Sequence, residues 1–361
     1  MLSCLSVLFP LSCGGEQPTP VIEEGPKENP LKHGFIDKTG EMVIVPMFDC
    51  AYSFSDGLSL IMIGRKYGFI NKKGEIVIEP QYISAFSFAE GLAPVSVEGK
   101  YGFIDQNGDL VIEAQFDRVN PIDDGYDAES ITGIYGYYKH PGVFSEGLAH
   151  VRVDDKWGFI DRTGEMVIPP EYDDVWQFSE GLAPVMVDGK WGYIDTHGEF
   201  VVSPQYSMAF PFSEGLAPVN KEGQWGYIDI SGRMIIEPQF DFTYGFHGGL
   251  AKVRVDGGCG FIDSDGTIVI EPVFKYAFSF SDGLAPVMVD SKWGYIDKNG
   301  NIVIQPQFDE AASFSDGLGR IQIGKRYGFI DNTGNIVIEA KYGYPDPFSE
   351  GLSAVFIKVE E

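Results

Sequence analysis

The side chains able to do chemistry are scattered through this 361-residue chain rather than gathered. His33, His140, His150, His197 and His247 lie far apart, and no His-Glu-x-x-His, paired-cysteine or other ligand spacing joins them. No metal centre and no cofactor site is therefore expected. Ser179, Ser213 and Ser349 recur in the same short motif, whereas an active site breaks a pattern at one place, so no catalytic residues are expected and the chain reads as a non-enzyme. Asp263-Ser264-Asp265-Gly266, Asp297-Lys298-Asn299-Gly300 and Asp105-Gln106-Asn107-Gly108 resemble the opening of a calcium loop. They lack its later bidentate glutamate and regular third carboxylate, and most copies read like Asp161–Gly164, an Asp-initiated turn closed by glycine.

Three other sets could bind something. A ladder of acids, Asp56, Glu90, Glu146, Glu180, Glu214, Asp282, Asp316 and Glu350, could bond turn amides, solvate one edge or meet a basic partner. Trp157, Trp191, Trp225 and Trp293 stand one period apart and could form platforms for glycan rings, or pack between units as large aromatics usually do. A segment over residues 120–141 carries Asp123 and Asp124 and then Tyr126, Tyr135, Tyr137 and Tyr138, which packing elsewhere in the chain does not require. Aromatics beside acids on an insertion suit recognition of a protein partner.

The elements that must position these residues are a repeat. An aromatic-Gly-Phe/Tyr-Ile-Asp/Asn motif recurs with its glycine at Gly34, Gly68, Gly102, Gly158, Gly192, Gly226, Gly260, Gly294 and Gly328, spaced by 34 except for one gap of 56. A fixed period of this size marks a repeat architecture. Each of the nine units continues through Asp-x-x-Gly, a short apolar run, an aromatic and then Phe-Ser-Glu-Gly-Leu or a close variant. Three β-prone runs appear per unit, in the fifth at 193–195, 200–203 and 216–220, with glycine or proline interrupting every helical window. The Asp-x-x-Gly turns join the first two runs as hairpins, and x-Gly-Lys-Trp-Gly joins the third to the next unit. The phenylalanine and leucine of the Phe-Ser-Glu-Gly-Leu motif are the expected inter-unit core, because a unit this small cannot bury them alone.

The first residues stand outside the repeat. Leu5–Leu11 is an apolar run too short to span a bilayer, and Leu11-Ser12-Cys13-Gly14-Gly15 after it resembles a bacterial lipoprotein box. Residues 1–13 then read as a signal peptide with Cys13 as the lipidated residue, 14–31 as a Pro- and Glu-rich disordered tether, and 32–361 as the nine-unit domain. Cys50 and Cys259 fall in the first and seventh units, so a bond between the two is not expected. The net charge of −27 repels phosphate backbones and anionic lipid, which excludes nucleic acid as a partner and leaves the membrane reachable only through a lipid anchor.

Lys190-Trp191-Gly192-Tyr193-Ile194-Asp195, with its counterparts at 156–161 and 292–297 and the downstream Phe-Ser-Glu/Asp-Gly-Leu, resembles the WG (KWG) repeat of bacterial surface and secreted proteins. The resemblance runs from Gly34 to the C-terminus in nine copies and departs at Tyr67, Tyr101, Tyr327, His33 and Cys259 in the tryptophan slot, and at 246–250, which lacks the acid. It implies an all-β repeat scaffold with interaction roles and no catalytic residue to transfer. The expected fold is all-β, nine stacked antiparallel β-meander units in an open twisted array, because nine three-stranded blades would make an unusual closed propeller. Against that, the last run lacks a hairpin successor and the first lacks a predecessor, so the two could pair. The expected function is a non-catalytic binding scaffold on the bacterial cell envelope, lipid-anchored or periplasmic or else secreted, which engages a protein partner through the repeat face and the insertion. The alternative is a cell-wall or glycan-binding module that uses the tryptophan ladder.

Overall fold

The computed structural model describes residues 31–119 and 144–358, and within them every element is a β-strand. The strands form nine antiparallel sheets of three or four strands each. The fifth shows the plan: a short inner strand Asp174–Val175, a second strand Leu182–Val187, a third Lys190–Asp195 and an outer strand Phe200–Tyr206. The short inner strand was not legible as a β-prone run, since it is two residues held by Asp174↔Met186 and Val175↔Val185. In the third and eighth sheets it shrinks to the single bridges Ala85↔Val95 and Ala277↔Val287.

Each sheet is out of phase with the sequence unit. It starts in the second half of one unit and ends in the first half of the next, so the chain termini must share a sheet. They do: Leu352–Lys358 pairs antiparallel with Leu31–Asp37 through Leu31↔Lys358 to Asp37↔Leu352, and Leu31–Asp37 pairs with Met42–Phe48. The expected open array is thereby corrected. The molecule is a closed nine-bladed β-propeller, with this composite sheet as blade 1 and blades 2 to 9 following in chain order. An open array would leave two edges and two apolar faces in water, and closure removes both.

The core lies between blades. Leu182, Trp191, Tyr193, Val202 and Tyr206 of blade 5 pack on Ala209, Phe212, Ala217, Val219 and Ile228 of blade 6. Equivalent clusters recur at every junction, including blade 9 to blade 1 (Leu318, Phe329, Ile338 with Phe348 and Val355) and blade 1 to blade 2. At each junction the phenylalanine of the Phe-Ser-Glu-Gly-Leu turn meets the aromatic after the motif glycine of the preceding blade, as in Tyr193–Phe212 at 5.0 Å and Phe329–Phe348 at 4.7 Å between ring centroids. Such pairs contribute about 0.5–1.5 kcal/mol each beyond their buried area.

The same turns carry a ring of hydrogen bonds. Ser145 Oγ donates to Phe178 O, Ser179 Oγ to Phe212 O, Ser315 Oγ to Phe348 O and, across the closure, Ser349 Oγ to Phe54 O at 2.8 Å. Blades diverge away from an axis, so contact between equivalent turns places them at the inner end. The ring skips where Ala89 and His247 replace the serine.

Closure makes the junction of blades 9 and 1 the equal of the others. Phe348→Ala and Phe178→Ala should therefore each cost about 3–5 kcal/mol in denaturant unfolding. A Phe348→Ala loss well below that of Phe178→Ala would argue that the ring is not closed in solution.

Candidate functional site

The repeat's invariant residues are occupied by the architecture. Opposite the motif glycine the outer strand carries a bulge, as between Trp191↔Tyr206 and Tyr193↔Val202. At Gly158 a Cβ would lie 2.5 Å from Ile168 O and 2.7 Å from Pro170 N, which only glycine avoids. In the Asp-x-x-Gly turns, Asp161 Oδ1 accepts from the amides of Thr163 and Glu165, and Asp263, Asp297 and Asp105 do the same with their own turns. At Asp331 the Thr333 hydroxyl and the turn amides hold the carboxyl down at about 2. The carboxylates that suggested calcium thus face their own backbone.

The acid ladder also turns inward. Glu146 accepts from the amides of Glu180 and Gly181, Glu180 from Gly215, Glu214 from Gly248 and Gly249, and Glu350 from Gly57 across the closure. Asp56, Glu90, Asp282 and Asp316 likewise accept from the next turn. Each turn holds its acidic residue at positive φ, between 51° and 55°, beside a glycine at positive φ, and the borrowed carboxylate satisfies the amides so exposed. In the turn at 246–250 Gly248 stands in place of the acid, so no carboxylate is offered to the next turn.

The tryptophans are core. Trp157, Trp191, Trp225 and Trp293 are between 1% and 7% exposed, and Trp225 stacks on Phe210 at 4.9 Å while Trp293 stacks on Phe278 at 5.2 Å. Their faces are closed to a sugar ring as the blades stand. Cys259, in the same slot, is a buried free thiol. Cys13, Asp123, Asp124, Tyr126, Tyr135, Tyr137 and Tyr138 lie outside the described residues.

What breaks the pattern is a slot two residues beyond the leucine of the inner turn. Pro94, Pro184, Pro218 and Pro286 fill it in four blades and Leu60 and Ala354 in two, whereas His150, Lys252 and Arg320 put a titratable or charged group there. Lys252 is 7% exposed, and its Nζ lies 3.7 Å from the Tyr244 ring centroid and donates to Ala277 O at 2.9 Å. Burial lowers this ammonium to about 8. Arg320 donates to Pro345 O at 2.7 Å and to the Tyr344 hydroxyl at 2.8 Å, with its guanidinium 4.2 Å from the Tyr344 centroid. Beside it, burial pushes the Asp346 carboxyl up to about 6 against the pull of Arg320.

His150 differs from both. It is 2% exposed, set edge-on to Trp157 at 5.7 Å and Phe159 at 6.5 Å, and neither ring nitrogen makes a hydrogen bond. Burial lowers its pKa to about 4; the Val119 backbone favours the protonated ring slightly without reaching hydrogen-bond geometry. Other departures gather here, at the junction of blades 4 and 5. Arg118 bridges directly to Arg152, whose guanidinium lies 6.0 Å from the Trp157 ring and 3.3 Å from Asp155. On blade 5 burial raises Asp174 to about 6, opposed by the Val175 amide and by Arg152. The chain leaves the described structure at Val119 and re-enters at Phe144, both packed on blade 3, so the insertion springs from the inner edge of blade 4 on the face opposite His150. None of these residues stood out singly in the sequence. The available signal was comparison at equivalent positions: Arg152 answers to Met62, Ser96, Met186 and Asn220 elsewhere, with Arg254 of blade 7 its one arginine counterpart.

A closed ring of nine blades whose repeated residues are consumed by structure, with its insertion and several departures on blade 4, defines a β-propeller of repeat type. The chain belongs to the family described as WG containing repeat, whose model matches residues 34–67, 67–101, 101–126, 157–191, 191–225, 225–259, 260–293, 293–327 and 327–358. No curated protein matches. Among solved structures, one described as the crystal structure of the eukaryotic initiation factor is similar over 90% of this chain and 98% of its own, at 10% identity and a TM-score of 0.57, which is a likeness of fold alone. PorZ, a bacterial surface component of the type-IX secretion system of Porphyromonas gingivalis, matches at 9% identity over 81% of this chain and 51% of its own, with a TM-score of 0.23. The dihydro-heme d1 dehydrogenase NirN matches at 12% identity over 80% and 75%, with a TM-score of 0.40. Neither of the last two is close enough to bear on this chain.

The His150 environment sets a pH dependence. Its folded pKa of about 4 lies below the ordinary 6.5, so the unfolded chain takes up the proton first as pH falls. The neutral ring's stability is fully present above about pH 6.5 and is lost as pH falls towards 4, by about 3 kcal/mol. Asp174, raised to about 6, acts in the opposite sense over part of that window. His150→Leu, which copies Leu60 of blade 2, should therefore gain on the wild type by about 3 kcal/mol between pH 7 and pH 4 in chemical unfolding. A constant difference across that range would mean that the ring is not held neutral.

Proposed function

We propose that this chain is a non-catalytic binding scaffold of the bacterial cell envelope, tethered by lipid at Cys13, which engages a protein partner through one propeller face and the insertion at 120–141. The observation that carries this reading is convergence. The insertion, the cross-strand Arg118 and Arg152, and His150 all lie on blade 4, whereas Lys252 and Arg320, the charged residues of the same slot in blades 7 and 9, stand in units without an insertion. A binding site on a repeat scaffold is expected where the repeat is broken and a loop is added. The glycan alternative has less support, since the four tryptophan rings it needs are packed between blades.

The test is a pull-down from envelope extract with a chain beginning at Glu16, beside one lacking residues 120–141. The deletion leaves two residues between Val119 and Phe144, the same number that separates Val175 from Phe178, so the propeller should keep its fold and melting temperature. A protein retained by the full chain and lost with the deletion is the expected result. Equal retention by both would move the contact to the repeat face, and retention of nothing, together with a tryptophan fluorescence change on adding cell-wall glycan, would overturn the protein-binding reading.

A further inference from the structure

The turns between the second and third strands all lie on one face of the ring, and they share its charge unevenly. In blades 3 to 8 every such turn carries an acid, from Glu98 in blade 3 to Asp290 in blade 8. In blade 2 the turn is instead Gly64-Arg65-Lys66, and in blade 9 it is Gly324-Lys325-Arg326, with every one of these residues exposed. Blades 9 and 2 flank blade 1, where the two chain ends take the place of the turn, since Leu31 pairs with Lys358.

The lysine that closes such a turn elsewhere meets an acid at the end of the outer strand, as Lys100 meets Asp117 and Lys156 meets Asp173. Lys66 and Arg326 have Ile83 and Gly343 at the corresponding places. Asp49 and Asp309 approach the two turns, but each is already engaged. One carboxylate oxygen accepts the amide of Gly64 or Gly324, and the other is held by Lys32 or Lys292. Among the described residues, none of Arg65, Lys66, Lys325 and Arg326 takes part in an ion pair.

Apolar side chains share this sector. The residue before the turn is Ile323 in blade 9, Ile357 in blade 1 and Ile63 in blade 2, against valine or lysine in blades 3 to 8. Ile323 and Ile63 are 45% and 36% exposed, and Ile83 is 74% exposed. Met47, near the end of the outer strand of blade 1, is half-exposed where six other blades have glutamine or glutamate. Long cationic side chains beside exposed isoleucines suit the boundary of an anionic bilayer, with the charges among the phosphates and the hydrocarbon just below. The chain from Cys13 joins the propeller at Leu31, in the middle of this sector, so a lipid on Cys13 holds the bilayer within about 60 Å of it.

We infer that blades 9, 1 and 2 form a contact surface for an anionic phospholipid bilayer, with Arg65, Lys66, Lys325 and Arg326 on the headgroup phosphates and Ile63 and Ile323 beside them. The net charge of −27 does not forbid this, because repulsion from the acidic turns of blades 3 to 8 is screened beyond about 10 Å and the ring meets the surface by its basic side. The contact rests on the reading of Cys13 as lipidated only for delivery of the bilayer, and its test replaces that anchor.

The chain from Glu16 onward, which keeps every described residue, is given an N-terminal hexahistidine tag and held on vesicles by a nickel-chelating lipid. The vesicles are otherwise phosphatidylcholine alone or an equal mixture with phosphatidylglycerol, and acetylation of each lysine by an activated ester is followed by mass spectrometry. Lys66 and Lys325 should react several-fold more slowly on the phosphatidylglycerol vesicles. Lys190, exposed in the same turn of blade 5, should react equally on both. Arg65→Gln with Arg326→Gln keeps both reporter lysines and should abolish the protection, since each charge contributes about fivefold to binding at such a surface. Its melting temperature should match the wild type, because both side chains are exposed. Lys100→Gln with Lys156→Gln removes two charges from blades 3 and 4 and should leave the protection in place.

Equal rates on the two kinds of vesicle, protection of Lys190 as strong as that of Lys66, or protection that survives Arg65→Gln with Arg326→Gln would each overturn the inference. Protection of Lys66 and Lys325 by free polyglutamate but not by phosphatidylglycerol vesicles would overturn it too and give the surface to an acidic protein. The two readings fail separately. A Cys13 found without lipid in the chain purified from cells, with the vesicle result intact, removes the anchor alone, and a lipidated Cys13 without vesicle protection removes the contact alone.

Discussion

Every blade has two apolar faces and no means of burying either by itself, and the molecule follows from that constraint. Tyr193 and Trp191 of one blade need Phe212, Ala217 and Ile228 of the next, and the relation passes from blade to blade without a natural stopping place. A repeat protein can end such a series with polar capping units or by returning to its start. Here the first and last units are ordinary, with Phe35 and Phe348 as buried as any counterpart, and the series closes on itself. The offset between sequence unit and blade makes closure covalently economical, because the final strand Leu352–Lys358 arrives with its partner Leu31–Asp37 already waiting for a neighbour.

Closure then dictates the polar details. Nine inner turns crowded around an axis hold glycine and acidic residues at positive φ, and their amides would point into a space shared with the neighbouring turn. Where the turn has them, its serine hydroxyl and its carboxylate are spent on the next turn, so two sets of hydrogen bonds run around the ring beside the aromatic pairs, broken only at Ala89, His247 and Gly248. At the outer end the problem is reversed, since the edges face water. Pro46, Pro80, Pro170, Pro204, Pro238, Pro272 and Pro306 sit in seven of the nine outer strands, remove a donor from each and blunt pairing with other chains. The same bulged stretch presses on the motif glycine, so the most conspicuous letter of the repeat is a steric requirement rather than a contact site.

With the repeated residues so engaged, specific recognition falls to residues that do not repeat. Lys252 and Arg320 are variations absorbed within the fold by a neighbouring ring or carbonyl. Blade 4 is different in kind: two cross-strand arginines, a buried imidazole without a hydrogen bond and the root of the insertion lie on one blade. A ring of near-identical blades supplies rigidity for such a place at little cost to stability, because eight other junctions carry the core unchanged.

The sequence by itself determined the unit, the number of units, the all-β character, the turns and the buried phenylalanines, since these depend on spacing and on residues a few positions apart. Asp161 with its own turn amides and Phe178 in its motif are of this kind. Open or closed was not legible: curvature is the sum of small rotations between packed faces, and the same meander is consistent with either until Leu31 is found beside Lys358. The fate of the acid ladder and of the tryptophans was undetermined for the same reason, because a row of like residues along the chain has no side until blades are placed next to each other. The cluster of Arg118, Arg152 and His150 was hidden more deeply, since Arg118 stands in a different run from the other two, on the far side of the insertion, and only its pairing with Arg152 brings it to them. Local rules wrote the blade, and the contact between blades decided the ring and the surroundings of the residues that depart from the repeat.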